Sequence, residues 1–412
     1  MALAEGVSQN LAYKMYASGA ITANALATSS SDLGATGATY LRRVGSTLNF
    51  TKSTYESAEI RTDRQRADFR HGPGHVQGTI TGELSPGSYF PFFEAVHRDT
   101  KTAALTLTEA QLTSVAASAS GSTITFGGGD AVALGLHIGM VIRFTGMSTA
   151  ANNNVNFTIT AMTTTVLTVT PAPTDQSADT VFSLSAPGCT TIVPLTSHVS
   201  RKFGIEHNAA DLDFSRLFTE CRASSYRVSA PATGMVTCEF GFFGRFMETY
   251  SGGTAPFFTS PTAASTTGIV TSVNGRLLVA GSSVGVVTGV DLTMDLAPSA
   301  AEVMGQNFAA EIFLGRASAS GTVTAYFDSG TLINDFVNET EVALQVLLTT
   351  TSAANSPFIS VMLPRIKFGD AALNLQGEGG QTISLPFTAL LSGTSVVGVK
   401  QSTVIIHDSE AT

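Results

Sequence analysis

Phe69-Arg-His-Gly-Pro-Gly-His-Val-Gln-Gly78-Thr-Ile-Thr-Gly-Glu-Leu84 and Ile312-Phe-Leu-Gly-Arg-Ala-Ser-Ala-Ser-Gly321-Thr-Val-Thr-Ala-Tyr-Phe327 align at an offset of 243 residues, with the Gly-Thr-(Ile/Val)-Thr core in register. Within each copy apolar and polar residues alternate, as in Val76, Gly78 and Ile80 against Gln77, Thr79 and Thr81. Period two is the signature of a half-buried strand. The likeness extends outward. Phe90, Phe92 and Phe93 follow the first copy as Leu332, Ile333 and Phe336 follow the second. Upstream, Ser46 to Thr51 answers Gly289 to Met294 in alternation, with a change of register, and Ser200 to Phe246 resembles Glu341 to Leu390. The chain reads as two related β-domains in tandem.

Similar alternation predicts strands at Thr123 to Phe126, Met140 to Phe144, Val166 to Thr170, Val236 to Phe242, Val287 to Met294, Val342 to Thr350 and Thr382 to Leu390. The expected fold class is all-β: two tandem sandwich domains, each with a short flanking helix, plus an inserted small β-domain. Ser85 to His97 suits one such helix, with a Ser-Pro-Gly-Ser start before clustered Phe90, Phe92, Phe93, Ala95 and Val96. Residues 1–39, rich in Ala, Ser and Thr, read as an N-terminal arm. Residues 40–105 and 189–255 form the first domain in this reading, 256–412 the second. Residues 106–188 have no counterpart in the second copy and form the insertion, a small barrel or sandwich projecting from the main body.

Composition narrows the function. Charged residues make up 13% of the 412-residue chain and hydrophobic ones 43%, so much of the surface is expected to be covered by partners. No run of uncharged apolar residues is long enough for a spanning helix; Gly268 to Val290 carries Arg276 and many Ser, Thr and Gly. No membrane association is expected. The start lacks the basic-then-apolar pattern of a secretory leader, since the first basic residue is Lys14, which predicts a product that stays in the cytoplasm where it is made. Net charge is −9, and from Ser251 to Thr412 there are 12 Asp or Glu against 5 Lys or Arg, an acidity that disfavours tight DNA binding. Cys189, Cys221 and Cys238 lack metal-ligand spacing and are read as buried thiols.

No chemistry-bearing motif survives its context. Gly281-Ser-Ser283-Val-Gly285 has the nucleophile-elbow string, but a strand follows it where a helix is required, so a turn is expected. Gly72 to Gly78 is one residue too long for a dinucleotide fingerprint and reads as a loop tip. His71 and His75 have Gly-Pro-Gly between them, which forbids the helix that would put both on one metal. No catalytic residue, cofactor site or metal site is predicted, and the chain is read as non-enzymatic.

The densest charged stretch is Glu59-Ile-Arg61-Thr-Asp63-Arg64-Gln-Arg66-Ala-Asp68-Phe-Arg70. Two readings stand. It is a solvated loop, or it is an ordered arm in which Arg61, Asp63, Arg64, Arg66, Asp68 and Arg70 pair with a neighbouring subunit, mixed sign fixing register without blocking association.

Thr54-Tyr-Glu-Ser-Ala-Glu-Ile-Arg-Thr-Asp-Arg-Gln65, then His75 to Leu84 and Phe90 to Val96, resembles the first domain of phage tail tube proteins. Gly285 to Asp295 and Gly321 to Asp328 are similar to the family's second stretch. The resemblance spans Tyr40 to Ala104 and Thr196 to Ile405. It implies a β-sandwich whose copies form rings, the rings stacking into a hollow tube for genome passage in a virion tail assembled in the host cytoplasm. It also implies tail tip, tape measure and terminator partners and a flexible, non-contractile tail. A duplicated chain should then build a homotrimeric ring of pseudo-sixfold symmetry, with an acidic bore that lets DNA slide and the insertion pointing outward. A capsid decoration or surface-layer protein is the alternative structural class.

Overall fold

The computed structural model describes residues 5–17, 29–284, 287–327, 331–374, 380–393 and 396–412. The first repeat comprises β1 (Gln9–Met15), β2 (Asn49–Glu56), β3 (Phe69–Glu83), helix α1 (Phe90–His97), β4 (Phe203–Ala209), β5 (Phe214–Pro231), β6 (Thr237–Gly244) and β7 (Phe246–Ser251). The second runs through β8 (Thr271–Val279), β9 (Val287–Asp295), β10 (Ser318–Tyr326), α2 (Thr331–Val337), β11 (Val342–Thr349), β12 (Phe358–Phe368), β13 (Ala372–Asn374), β14 (Thr382–Ala389) and β15 (Ile405–Asp408).

The antiparallel ladders of one repeat recur in the other. β1–β4 returns as β8–β11, β4–β5 as β11–β12, β5–β6 as β12–β14, β6–β3 as β14–β10, and β3–β2 as β10–β9. Irregularities recur with them. The register slip between Phe203 and Ile205 on β4 matches the slip between Val342 and Leu344 on β11. The slip between Ala223 and Ser225 on β5 is matched between Phe368 and Ala372, where β12 gives way to β13 opposite β14. A bulge re-aims every side chain beyond it, so bulges shared at equivalent places make these two copies of one backbone. The upstream alignment is one residue off: a Cβ on Gly78 would meet Thr47 O, and one on Gly321 would meet Asp291 O, so Thr47 corresponds to Asp291 and Leu48 to Leu292.

β5 is long enough to serve two layers. Its first half pairs with β4 and β7, its second with β6 and β9. One layer therefore runs β2–β3–β6–β5–β9–β10–β14–β12 across both repeats, and the other holds β1–β4–β5–β7 and β8–β11–β12–β15. Between them lies one hydrophobic core from Leu11 to Ile406. Phe92 of α1 packs edge-on to Phe203 and Phe242, and Phe93 edge-on to Phe240 and Tyr226. Each such buried ring contributes about 1.5–3 kcal/mol. The predicted helix is thus a wedge of aromatic residues closing one end of the first sandwich.

Residues 105–186 form a separate eight-stranded antiparallel sheet with its own core around Phe144, Phe157 and Leu167. This sheet backs onto the second repeat. Val141 packs with Leu347 and Phe358, Gln345 Nε2 donates to Gly139 O at 2.8 Å, and Asn156 Nδ2 donates to Ser356 O at 2.9 Å. β12 is consequently buried on both faces from Phe358 to Leu363, which is why it reads as an apolar run interrupted there only by Ser360. β15 lies between β12 and Cys189–Ile192.

Several expectations are corrected here. Within residues 1–39, whose positions 1–4 and 18–28 lie outside the described residues, β1 is no free arm: it pairs along its whole length with β4 and buries Leu11 and Ala12. Its alternation was masked by the Ala and Ser around it. Gly72 to Gly78 is no loop tip but the middle of β3; the ladder slips between Lys52 and Thr54, which accommodates Pro73 without breaking the strand. The Gly281 to Ser283 string, by contrast, is at a tight turn as expected, with Ala280 and Gly281 both at positive φ between β8 and Ser282–Ser283; Gly285 lies outside the described residues.

Candidate assembly interface

The two repeats meet in the chain through β5 and β9, which pair from Ser225 opposite Asp295 to Pro231 opposite Gly289. Equivalent strand edges exist at the far ends of the same layer. β2 corresponds to β9, and among the described residues it pairs only with β3. Asp370 to Asn374 corresponds to Ser225 to Ser229, and among the described residues β13 pairs only with β14. One end thus presents what the chain's own β9 presents, and the other presents what accepts it. Open edges of this kind invite another strand.

Beside the β5–β9 junction, the connection from β9 to β10 folds back on the first repeat as a hairpin, Ser299–Ala301 against Glu311–Phe313. Gly74 N–H donates to Asn307 O and Ala309 N–H to Gly74 O, both at 3.0 Å. Arg245, at the end of β6, pairs with Glu220 at 2.6 Å, donates to Ala309 O at 2.9 Å and lies over the Phe308 ring. Lys202 links Glu220 at 2.7 Å to Glu311 at 3.2 Å, and Glu311 also reaches Arg222 at 3.1 Å. Burial pushes the Glu311 carboxyl upward, but the Ile312 N–H and the charges of Lys202 and Arg222 outweigh it and hold the group below its ordinary value. Such a network is costly to leave half-made, so it fixes one docking position.

Five of the six predicted contact residues, Arg61, Asp63, Arg64, Arg66 and Asp68, lie on the corresponding connection of the first repeat, between β2 and β3, and Arg70 is the second residue of β3; all six are exposed. Two pairs bond among themselves, Arg61 to Asp63 at 2.8 Å and Arg70 to Asp68 at 2.8 Å, and Arg66 reaches Glu56 at the end of β2 at 2.7 Å. Arg64 sits at a left-handed turn, φ 60°, donating its N–H to Arg61 O at 3.3 Å. Arg61 and Arg70 hold the carboxyls of Asp63 and Asp68 below their ordinary values. Ile60, Tyr55 and Phe69 are exposed beside them. A second exposed charge cluster, Glu341 with Arg365 at 2.5 Å and Lys367 at 3.7 Å, was not singled out from sequence, nor were the two free edges. A signal existed in the repeat alignment, which begins one residue short of setting Asp68 on Glu311.

The face of the continuous layer turned away from the core is rich in hydroxyls, among them Thr79, Thr81, Thr293, Thr322, Thr324 and Thr388, with Glu83, Glu239, Asp291 and Asp295 against Arg227 and Lys367. Arg227 is itself paired with Asp291 at 3.2 Å. The opposite layer of the second repeat is the one that the insertion covers. Cys189, Cys221 and Cys238 are buried free thiols. Among the described residues no cluster of His, Cys, Asp and Glu could hold a metal ion, and no helix is long and apolar enough to cross a membrane.

No match to a curated protein is found. A family model described as phage tail tube protein matches twice, over residues 9–193 and 186–389, so that the two matches together run from β1 through β14. A duplicated β-sandwich with complementary open edges, matched in tandem by that model, places this chain in the phage tail tube protein family, a family of structural virion proteins.

Proposed function

We propose that three copies of this chain close into a ring of pseudo-sixfold symmetry, that the rings stack into the tail tube, and that the genome passes through its bore. The observation that carries the reading is the β5–β9 junction, a contact between two copies of one fold whose two halves are repeated, unpaired, at opposite ends of the same layer. Carrying the β5–β9 register across to the next copy sets Thr51 opposite Asp370, Phe50 opposite Ala371 and Leu48 opposite Leu373. Each chain then offers its neighbour the contact it makes within itself, and the ring closes after three chains and six repeats.

The hydroxyl-rich face of this layer becomes the bore. Its carboxylates and few cations offer phosphate no basic footprint, which suits sliding rather than gripping. The insertion, on the far side of the second sandwich, points outward. In this arrangement residues 40–105 and 189–255, with β1 added, form the first tube domain and 256–412 the second. Tip, tape measure and terminator proteins are the partners that end and measure the tube, and assembly takes place in the host cytoplasm.

Electron microscopy of the purified, concentrated protein, with native mass measurement of any ring, tests the reading. Annuli of three chains with six similar lobes are expected. A chain that stays monomeric both at high concentration and when released from virions overturns it.

A further inference from the structure

Resting on the ring reading, we propose that the 57–70 arm of one chain seats on the Glu341–Arg365–Lys367 patch of the next, as the 299–313 hairpin seats on Lys202, Glu220 and Arg222 within the chain. The matched ladders carry Lys202 onto Glu341, Glu220 onto Arg365 and Arg222 onto Lys367. The pair recurs with its signs exchanged: Lys202–Glu220 at 2.7 Å becomes Arg365–Glu341 at 2.5 Å, with Lys367 beside Glu341 at 3.7 Å. In the first repeat the hairpin covers this pair. In the second, Glu341 and Arg365 stand 40% and 38% exposed.

The arm shows the complementary deficit. Ile312, fully buried at 0% exposure, corresponds to Phe69, which is 48% exposed, and Ile60 at the arm's tip is 99% exposed. Glu311, which bridges Lys202 and Arg222, corresponds to Asp68, already bonded to Arg70. Phe246, which meets Phe308 edge-on, corresponds to Leu391, also exposed. Set down as its counterpart is, the arm puts Asp68 in the place of Glu311, between Lys367 and Glu341; Arg70, bonded to Asp68, then turns to Glu341 and offsets that like charge, while Phe69 and Leu391 leave water. Opposite pairs laid crosswise satisfy all four charges and penalise a slipped register, so the arm acts as the key that admits only the correct neighbour.

Paired cysteines test this in the full-length protein. Asp68→Cys with Lys367→Cys in one chain should, on mild oxidation of assembled material, give a covalent ladder that stops at three chains; the native cysteines are buried and give the blank. Both substituted positions are on the surface, and each single variant serves as control for folding and assembly. Rings seen by microscopy without cross-links overturn the arm placement and leave the ring standing. A ladder running past three chains places the arm on the next ring and overturns it equally. Absence of rings in the unsubstituted protein removes the ring reading and this inference with it.

Discussion

Gly321 of β10 lies directly opposite Phe387 of β14, and a Cβ added to it would stand 2.6 Å from the Phe387 ring and 2.1 Å from Asp291 O. Gly78 of β3 lies opposite Phe242 of β6 in the same way, pressed against Thr47 O. In each repeat the glycine lets the strand on the other side close in, and in the second it also leaves room for the Phe387 ring. Gly321→Ala should therefore force β9 away from β10, at a cost of about 2–3 kcal/mol for an overpacked site that must move backbone. Chemical denaturation measures it. A loss below about 0.5 kcal/mol would show that the pinch is not what sets the approach of these strands.

Arg245 and Glu220 are buried together, and Arg245 also holds Ala309 O and stacks on Phe308. Arg245→Met leaves Glu220 with Lys202 but without its closest partner, costing about 3 kcal/mol. The effect should be local as well as global. Hydrogen exchange should quicken at the Ala309 amide, which depends on Gly74 O, before it quickens in β11 or β12.

Asp408 and His407 titrate in opposite senses. Burial pushes the Asp408 carboxyl up to about 7, against the pull of the Gly87 and Glu410 N–H groups. A pKa raised on folding gives stability that is full below the ordinary value of 3.8 and fades as pH rises toward 7. Burial lowers His407 from 6.5 to about 4, so its contribution is full above 6.5 and fades as pH falls toward 4. Between pH 4 and 6.5 the two slopes oppose. Relative to the native protein, Asp408→Asn should make stability rise more steeply with pH across this window, and His407→Gln should make it rise less. Denaturation at a series of pH values reads both slopes, and parallel curves for all three proteins would refute the linkage.

The repeat was legible because Gly-Thr-(Ile/Val)-Thr occurs where geometry allows little else: Gly78 and Gly321 have no room for a side chain, and the alternating residues must point to one core. Thr123–Phe126, Val141–Thr145 and Val166–Thr170 of the insertion were legible for the same reason of alternation, whereas Leu105–Thr108, Val115–Ser118, Gln176–Asp179 and Ser183–Ala186 were not. β1 was not, because the short alternation of Leu11, Tyr13 and Met15 is flanked by Ala, Ser and Gly that carry little hydrophobic signal. The receptor patch could not be found from type alone. Glu341, Arg365 and Lys367 are ordinary surface charges in sequence, and only the ladders place them where Lys202, Glu220 and Arg222 stand in the other repeat. Charge inversion also hid the correspondence from any comparison by residue likeness.

The insertion should fold without the rest of the chain. Its ends are held together by Thr102 and Thr190, which exchange hydrogen bonds at 2.8 and 2.9 Å, so it is tethered at one point and not threaded through the body. It buries Phe144, Phe157, Ile159, Leu167 and Leu184 among its own residues. A fragment spanning residues 104–188 is therefore expected to unfold cooperatively by circular dichroism, though with the small margin of a domain of this size. The body is the more vulnerable partner. Excising the insertion and joining its ends exposes Leu347 and Phe358, each worth about 1.5–3 kcal/mol while covered. The excised chain should aggregate, and Leu347→Thr with Phe358→Thr should restore solubility, because a strand with one wet face is then what β11 and β12 each become. A fragment that fails to fold, together with an excised body that stays soluble without those changes, would mean that the insertion depends on the body and the body does not depend on it.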